Sequence, residues 1–398
     1  MKRFYLGLAA CCALPLAAAE NQSFNPEISL ILQGRYLNAK NIDERHITGF
    51  IPAGHDHGDE RGFSLDHSEL VIAANIDQAF RGQANFAIID DEVEVEEAWL
   101  QTLGLGHGLT IKAGRFLSGI GYSNEQHPHA WDFADQHLLG KVLYGEHLTQ
   151  DGVQSRWLAP TTTFLEFGVE AARGQFFPGA KDGGNKNGAG IATAFVHLGD
   201  DWDESNSWRI GLAHLHARPK DRKAHLEDIN EVEADTDFSG TSKTWLADAV
   251  WKWAPDGNPR QRNLKIQFEY FQREEKGELV CGDNTADGGA CTELGDRYKS
   301  RQSGFYAQTV YQFMPRWRVG YRYDWLDSDS VNFGNNQTVL GADKYKPKRH
   351  SLMLDFSPSE FSRLRLQLAQ DKSMRGVTDN QITVQYAMSL GTHGAHKF

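Results

Sequence analysis

The chain has 398 residues, of which 53 are acidic and 41 basic, so its formal net charge is -12 at neutral pH. This acidic surplus argues against nucleic acid as a partner and is compatible with a protein that attracts or admits cations. No run of about 18 apolar residues follows the first twenty positions, which excludes a transmembrane helix. Periodicity therefore has to distinguish a soluble protein from a membrane barrel, because only alternate residues of a barrel strand face lipid.

Residues 1–19 have the organisation of a secretory signal peptide. A positive start is followed by an apolar core and by the small-residue run Ala17–Ala19. A lipoprotein-type cleavage box at 8–11 is the alternative, but cleavage there would leave an unusually short apolar core. We therefore expect one mature domain over 20–398.

The mature sequence contains repeated alternation of apolar and polar residues, which is the pattern of strands whose two faces meet different environments. In the stretch 316–327, for example, aromatic and aliphatic residues alternate with Arg318, Arg322 and Asp324. Two stretches have weak patterns, 93–103 and 151–159, so fourteen strands are the alternative to sixteen. The sixteen predicted strands are 27–38, 64–76, 80–90, 93–103, 109–116, 151–159, 163–173, 189–198, 207–217, 242–254, 263–274, 302–313, 316–327, 348–357, 361–371 and 379–391.

The connections between these strands alternate in length. Short connections rich in turn formers are 104–108, 160–162, 255–259, 314–316 and 357–360. Long polar connections are 40–63, 117–150, 174–188, 218–240, 275–300 and 328–347. Short turns at one rim and long loops at the other are typical of outer-membrane barrels. We therefore predict an all-β fold, a transmembrane antiparallel β-barrel with short periplasmic turns, long extracellular loops and an aqueous channel.

The third long connection, residues 117–150, is rich in histidine, aromatic and acidic residues. Loops of this length are usually functional or disordered. We expect this one to fold into the lumen and to narrow it. The residues that we predict to form the constriction are Tyr122, Glu125, Trp131, Asp132 and Asp135.

Several of these features resemble Gram-negative outer-membrane porins. They are the strand-turn-strand 93–116 ending in AGRF, the long third loop, the even strand number and the terminal Phe398. The nearest resemblance is to the phosphate-selective porin O/P-like group; it covers nearly all of the mature chain as a pattern, with motif-like similarity at 113–139 and at the end. The tail after Leu390 departs from the family, because it lacks alternating apolar residues.

The resemblance implies a passive, water-filled channel for small hydrophilic solutes or ions in the cell outer membrane of a Gram-negative bacterium. It also implies a homotrimer, contact with outer-membrane lipid and lipopolysaccharide, and insertion by the barrel-assembly machinery. A structural or adhesin barrel with a closed lumen is an alternative of another class. An energised receptor would carry a plug domain before the barrel, and only residues 20–26 separate the signal from the first strand.

Charged residues at inward strand positions are candidates for the pore lining. They are Arg115, Arg316, Arg318, Arg322, Arg363, Arg365, Glu166, Glu170 and Asp324. A row of arginines can guide anions through a lumen, and the porin resemblance implies this use. The alternative is a wall of mixed charge, in which the acidic residues neutralise the basic ones.

The chain contains 16 histidines, which concentrate in two loops together with carboxylates. Imidazole and carboxylate form a ligand set that suits zinc. The candidate metal ligands are His55, His57, His127, His129 and His137. The alternative is a polar loop that is merely rich in histidine. Porin-like proteins with such loops are associated with zinc uptake. The second hypothesis is therefore a metal-linked uptake channel, which resembles a receptor because its loops capture ions. Neither hypothesis requires a cofactor, although a weakly bound divalent cation such as zinc fits the metal-linked uptake channel.

Two remaining features concern cysteine and catalysis. The mature chain retains Cys281 and Cys291 around a turn-rich segment, and we expect them to form a disulfide in an oxidising compartment. We find no G-x-S-x-G, H-E-x-x-H, P-loop or dinucleotide motif. We therefore do not expect an enzyme.

Overall fold

The computed structural model describes residues 26–42, 45–51, 61–89, 92–145, 147–180, 189–341 and 344–391. These residues form eighteen strands and one α-helix, α1 (Leu138–Tyr144). The strands are β1 (Glu27–Asn38), β2 (Gly62–Leu65), β3 (Ser68–Asn75), β4 (Phe80–Ile89), β5 (Glu92–Thr102), β6 (Leu109–Leu117), β7 (Thr149–Leu158), β8 (Phe164–Ala172), β9 (Ile191–Asp203), β10 (Asn206–Ala217), β11 (Arg222–Glu227), β12 (Glu233–Trp253), β13 (Asn263–Cys281), β14 (Leu294–Met314), β15 (Trp317–Asn332), β16 (Lys348–Ser359), β17 (Ser362–Lys372) and β18 (Asp379–Gly391).

The strands form one closed antiparallel sheet, because the first strand β1 also pairs with the last strand β18. Strands β2 and β3 both pair with β1, and β10 and β11 both pair with β12, so each couple is a single interrupted wall strand. The wall therefore has sixteen strands. The predicted all-β, sixteen-stranded barrel is confirmed, and fourteen strands are excluded because both weakly patterned stretches belong to the wall as β5 and β7.

The two faces of the wall differ in chemistry. Along β17, Leu364, Leu366 and Leu368 point outward and are 42–46 % exposed, whereas Arg365 and Gln367 point inward and are 0 and 1 % exposed. An apolar outer face with no protein partner is suited to lipid, and closure of the sheet satisfies every strand edge inside a bilayer. The polar residues are thus directed into the lumen. No helix among the described residues is long and apolar enough to span a membrane.

Several strands are longer than predicted on the long-loop side. Strand β12 begins at Glu233 rather than 242, and β13 and β14 extend the neighbouring hairpin to Cys281 and Leu294. Much of the predicted loops 218–240 and 275–300 is therefore strand. The sequence pattern stops earlier because these extensions carry charged residues on their outer face, such as the exposed ion pair of Glu274 and Lys276.

The hairpin of β13 and β14 is closed at its tip by a disulfide between Cys281 and Cys291. Both cysteines are buried in a small apolar cluster that includes Phe238, Leu279 and Tyr298. This cluster lies at the long-loop end of the hairpin, away from the membrane-facing leucines. The disulfide therefore stabilises the rim rather than the lumen.

Candidate functional site

The connection between β6 and β7, residues 118–148, is called the third loop here. It lies across the inside of the barrel, because it contacts inward-facing side chains of ten wall strands, from β3 around to β17. It contains two 3-10 turns, Ser123–Glu125 and Pro128–Ala130, followed by α1. The inward residues that contact it are Glu69, Glu97, Arg156, Glu170, Arg209, Lys265, Glu269, Arg273, Gln308, Arg318, Arg322, Asp324, Arg349, Arg363, Arg365 and Gln367.

Two wall glutamates hold the start of the third loop by its backbone. Glu170 accepts hydrogen bonds from the Ser118 hydroxyl at 2.6 Å and from the Gly119 amide at 2.8 Å. Glu269 accepts the amides of Tyr122 and Ser123 at 3.1 and 2.7 Å. Backbone donors are thus satisfied inside the lumen, as buried amides require.

Residue 121 must be glycine for the loop to make this approach. Gly121 has φ +75°, and a Cβ atom at this position would lie 2.9 Å from Glu269 Oε2. Other residues are strained at positive φ. The short Gly-Tyr-Ser-Asn run therefore permits the loop to turn against the wall.

Two loop aspartates, Asp132 and Asp135, are named the acidic anchor. Asp132 pairs with Lys265 and, at 3.0 Å, with Arg318. Burial alone would raise the pKa of Asp132, but Lys265 and Arg318 hold it well below its ordinary value. Asp132 is therefore charged at any physiological pH.

Asp135 extends the acidic anchor to the next strands. It pairs with Arg322 at 2.8 Å and also with Arg349, and it accepts a hydrogen bond from Gln367. Its partners thus come from β15, β16 and β17. Permanently charged guanidinium groups and a buried carboxylate make these strong, charge-assisted contacts.

His137 forms the N-terminal cap of α1. Its Nδ1 accepts the Gly140 amide at 2.8 Å, so its Nε2 carries the proton and donates to the Ser123 hydroxyl at 2.9 Å. The ring stacks on Tyr306 with 3.8 Å between centroids. Burial, reinforced by Arg322, lowers the pKa of His137 well below its ordinary value, so this imidazole is neutral.

The helix α1 packs against the inner wall with apolar side chains. Leu138, Leu139, Val142 and Leu143 are buried in a cluster with wall residues such as Phe271. The Arg273 guanidinium also donates to the Val142 carbonyl at 2.9 Å. Apolar packing and this hydrogen bond therefore hold α1 against the inner wall.

On its opposite side, the third loop contributes His127 and His129 to a group of side chains that also includes His67, just before β3, Glu69 on β3, and Glu96 and Glu97 on β5. We name these six residues the histidine–glutamate cluster. His67 Nε2 lies 2.9 Å from Glu96, and His129 Nδ1 lies 2.7 Å from Glu69. His127 lies 3.5, 3.2 and 3.1 Å from Glu69, Glu96 and Glu97, respectively.

Two local features of the chain create this cluster. The pairing of β4 and β5 shifts at Asn85, which lies opposite Glu97 while Phe86 lies opposite Val95, so Glu96 is a β-bulge residue. A bulge re-aims side chains, and here Glu96 and Glu97 both reach His127. On the loop, Pro128 begins a 3-10 turn that leaves the rings of His127 and His129 stacked 5.9 Å apart.

Burial alone would lower the pKa of His127, but Glu69, with Glu96 and Glu97, raises it well above its ordinary value. The cluster therefore favours a positive charge at this position. A proton on the imidazole supplies such a charge, and so would a bound cation.

A cavity of about 720 Å³ lies on the short-turn side of the third loop. Its wall includes four members of the histidine–glutamate cluster, Glu69, Glu97, His127 and His129, and it continues to the turn before β6. The cluster is thus accessible from the side of the barrel that carries the short turns.

Seven of the predicted pore-lining residues lie on the inner face, namely Arg318, Arg322, Arg363, Arg365, Glu166, Glu170 and Asp324. Two predictions were wrong. Arg115 lies on the opposite face of β6 from the buried Lys112 and pairs with Asp151 at 2.6 Å. Arg316 is an exposed turn residue between β14 and β15 with φ 72°, because the turn interrupts the alternation from which its inward direction was predicted.

The inward arginines do not form a free ladder. Arg318 and Arg322 pair with the acidic anchor, and Arg363 and Arg365 donate to the carbonyls of His129 and Trp131 at 2.8 Å each. They fasten the third loop. The mixed-charge alternative thus describes the wall, and sequence alternation could not reveal it because the partners are separated by up to 234 residues.

The five predicted constriction residues all lie within the third loop inside the barrel. Tyr122 is buried beneath Arg209, Glu125 pairs with Arg156 at 2.5 Å, and the Trp131 indole donates to the Gln126 carbonyl at 2.9 Å. The other two are the acidic anchor. These residues are engaged with the wall or with the loop itself.

The predicted metal ligands separate into three groups. His55 and His57 lie outside the described residues. His127 and His129 belong to the histidine–glutamate cluster, whereas His137 does not, because its Nδ1 caps α1 and its Nε2 donates to the Ser123 hydroxyl. The sequence analysis missed His67, Glu69, Glu96 and Glu97. The consecutive acids 96–97, which break the alternation of β5, were the signal that could have indicated the bulge.

Comparison with solved structures agrees with this architecture, although no family model matches the chain. OmpT of Vibrio cholerae in its trimer form superposes with a TM-score of 0.55 at 9% identity, covering 92% of this chain and 99% of that one. The outer membrane channel DcaP of Acinetobacter baumannii gives 0.52 at 12% identity (92% and 96% covered). The anion-selective porin from Comamonas acidovorans gives 0.52 at 10% identity (92% and 99% covered).

The sixteen-stranded wall, the apolar outer face and the third loop in the lumen define a barrel with the fold of Gram-negative outer-membrane porins. At the level of sequence, the chain is 32% identical over 419 residues to a protein of Aquifex aeolicus (strain VF5) described as an uncharacterized protein, a match that covers 97% of this chain and 82% of the relative. The chain belongs to the family of that protein.

Proposed function

We propose that the protein is a passive channel for small hydrophilic solutes or ions, and that the third loop determines what passes. The observation that carries this proposal is the third loop itself, which crosses the lumen and is held there by contacts to ten wall strands. A cavity of about 720 Å³ remains on its short-turn side. Passage is therefore limited by the space between the loop and the wall, and no catalytic step is part of the proposal.

The charges along this space favour cations over anions. Wall arginines are neutralised by the third loop, while Glu69, Glu97, Glu125 and Glu166 line the cavity together with three basic side chains and the two histidines of the cluster. The net charge of the chain, -12, acts in the same direction. Lining charge sets selectivity in narrow pores. The acidic lining therefore opposes the phosphate selectivity of the porin group that the sequence resembles.

Planar-bilayer recording tests the proposal. The refolded full chain should give discrete current steps, and a salt gradient should give a reversal potential of the sign for cation preference. Clear anion preference would contradict the role assigned to the lining glutamates. An absence of current would support a structural or adhesin barrel whose lumen is closed by the third loop.

A second candidate function is a metal-linked uptake channel. The histidine–glutamate cluster favours it, because six side chains of the ligand types that bind zinc meet where the third loop contacts the wall. In this function the divalent cation is the cargo, captured at the cluster and released to the short-turn side. Zinc transport into liposomes loaded with a fluorescent zinc indicator, compared with potassium flux, distinguishes it from a general porin.

The partners that we propose are those of an outer-membrane channel. An open cavity of about 690 Å³ on the long-loop side is lined by Lys344, Lys346, Lys348 and Lys372 together with Asp327 and Asp329. Lys346 pairs with Asp327 at 3.1 Å and lies 5.7 Å from the ring of Trp325. The surplus of ammonium groups beside an interfacial tryptophan suits the phosphates of lipopolysaccharide. Replacing the four lysines by alanine should reduce co-purified lipopolysaccharide.

We also propose a homotrimer, supported by the trimer form of one structural neighbour. Mass measurement of the detergent-solubilised protein would decide between a trimer and a monomer. The barrel-assembly machinery is the remaining proposed partner. The tail that would carry its signal, residues 392–398, lies outside the described residues.

A further inference from the structure

We propose that the histidine–glutamate cluster binds one divalent transition-metal ion of the zinc type, and that the bound ion ties the third loop to β3 and β5. The effect of the ion on current rests on the proposed channel function, whereas its binding does not. The site is formed by two separate parts of the chain, the wall and the loop, and neither part could form it alone.

The wall residues supply a compact set of ligand atoms. One nitrogen of His67 and one oxygen each of Glu69 and Glu96 lie within 4.8 Å of one another. His67 Nε2 is 2.9 Å from Glu96 and 3.9 Å from Glu69. Ligands about 2.0–2.2 Å from a tetrahedral zinc ion lie roughly 3.4 Å apart. The present spacing requires only small side-chain movements to reach that geometry.

The third loop offers the remaining ligands from the other side. His129 Nδ1 lies 2.7 Å from Glu69, and His127 Nδ1 lies 3.2 Å from Glu96. Structural zinc sites are normally four-coordinate. One loop imidazole added to His67, Glu69 and Glu96 completes such a set and makes the ion a bridge between the loop and the wall.

The charge balance of the cluster also favours a cation. Glu69 is fully buried and the Glu96 side chain is 11% exposed. Among the described residues, all ion-pair partners of these two glutamates are histidines. Buried carboxylates are costly without counter-charge. A proton on an imidazole can supply that charge, and so can a divalent ion, which compensates two carboxylates and binds neutral imidazole. The acidic anchor has no such need, because its partners are lysine and arginine.

Access to the site is open on one side. Glu69, Glu97, His127 and His129 line the cavity of about 720 Å³, which extends to the short turns. An ion can therefore reach the cluster without displacement of the third loop. Glu97, 3.1 Å from His127 Nε2, is placed to orient that imidazole as carboxylates do around zinc sites.

Isothermal titration of the metal-free, detergent-folded full chain with ZnCl₂ tests the site, and the absorption of Co²⁺ in the same protein reports tetrahedral coordination. We expect one saturable ion per chain at the cluster. Glu69→Gln and Glu96→Gln, each made separately, should weaken binding about tenfold or more. Having two variants keeps the test decisive if one fails to fold, as judged by heat-modifiable migration in gel electrophoresis.

Two controls separate the cluster from other histidines. His225 is exposed and pairs with Glu233 and Asp235, so it has the same ligand types without a buried enclosure. His225→Ala should leave the site unchanged. The double variant His55→Ala/His57→Ala removes two of the three histidines in the connection 40–63 and should also leave one ion bound at the cluster.

Three results would overturn the proposal. They are the absence of a saturable site in the wild-type protein, an affinity for zinc in both glutamine variants equal to that of the wild type, and loss of the site in either control. In bilayers, zinc at saturating concentration should reduce the wild-type conductance and leave that of Glu69→Gln unchanged. A protein that binds zinc at the cluster but carries no current would refute the channel function while leaving the metal site intact.

Discussion

The two sides of the third loop are attached to the wall by opposite chemistry. On the side of β13 and β15–β17, the loop contributes aspartates and the wall contributes lysine and arginine. On the side of β3 and β5, the loop contributes histidines and the wall contributes glutamates. The charges of the first attachment are permanent at physiological pH. The charges of the second attachment are balanced only when a proton or a cation is bound at the histidine–glutamate cluster. One side is therefore a fixed attachment and the other a conditional one.

The largest effect should follow from removing the fixed attachment. In the double variant Asp132→Ala/Asp135→Ala, Lys265, Arg318, Arg322 and Arg349 would be left facing one another with their loop partners lost. Breaking a buried ion pair costs about 3–5 kcal/mol. We expect the third loop to detach, with higher and noisier single-channel conductance and a lower unfolding temperature.

The matched control for this variant removes two acidic side chains that do not attach the third loop to the wall. Asp201 and Glu360 are exposed at the short-turn rim, and Asp201→Ala/Glu360→Ala should keep the wild-type conductance and unfolding temperature. If both double variants behave alike, net charge rather than attachment explains the effect, and the comparison fails.

The next effect concerns pH and the cap of α1, which belongs to the fixed side. Because the pKa of His137 is lower in the folded than in the unfolded chain, the unfolded chain binds the additional proton below about pH 6.5. The contribution of His137 is therefore complete above pH 6.5 and is lost as the pH falls, by about 1.4 kcal/mol per pH unit. The unfolding temperature should decrease between pH 7 and pH 5.

His137→Asn separates this titration from others. Asparagine caps a helix well but does not titrate, so the variant should fold and show a smaller decrease in unfolding temperature over the same pH range. An unchanged pH profile would mean that protonation elsewhere controls stability.

The smallest effect should come from the arginine that faces away from the lumen. Arg115→Ala removes a partly exposed ion pair with Asp151, whose side chains are 30 and 34% exposed, and such pairs contribute about 1 kcal/mol or less. Ion selectivity should be unchanged. Arg318→Ala, by contrast, removes one basic partner of Asp132 and of Asp355 in the lumen and should increase cation preference. Equal shifts in the two variants would place Arg115 in the pore.

The sequence predicted the wall far better than the attachments. Alternation identified all sixteen wall strands, because lipid outside and polar contacts inside impose a period of two. It could not predict the partners of Asp132, since Arg318 lies 186 residues away and the pair depends on barrel closure. Alternation also failed at irregular positions. The bulge at Glu96 and the turn at Arg316 both interrupt the period of two from which we predicted which side chains point inward.

The central claim is that the third loop limits passage through the barrel. Replacement of residues 120–138 by a short glycine–serine linker, followed by single-channel recording, tests it most directly. We expect a folded barrel whose conductance is several-fold higher than that of the wild type and no longer sensitive to zinc. Conductance equal to that of the wild type, in a variant whose folding is confirmed by heat-modifiable migration, would contradict it.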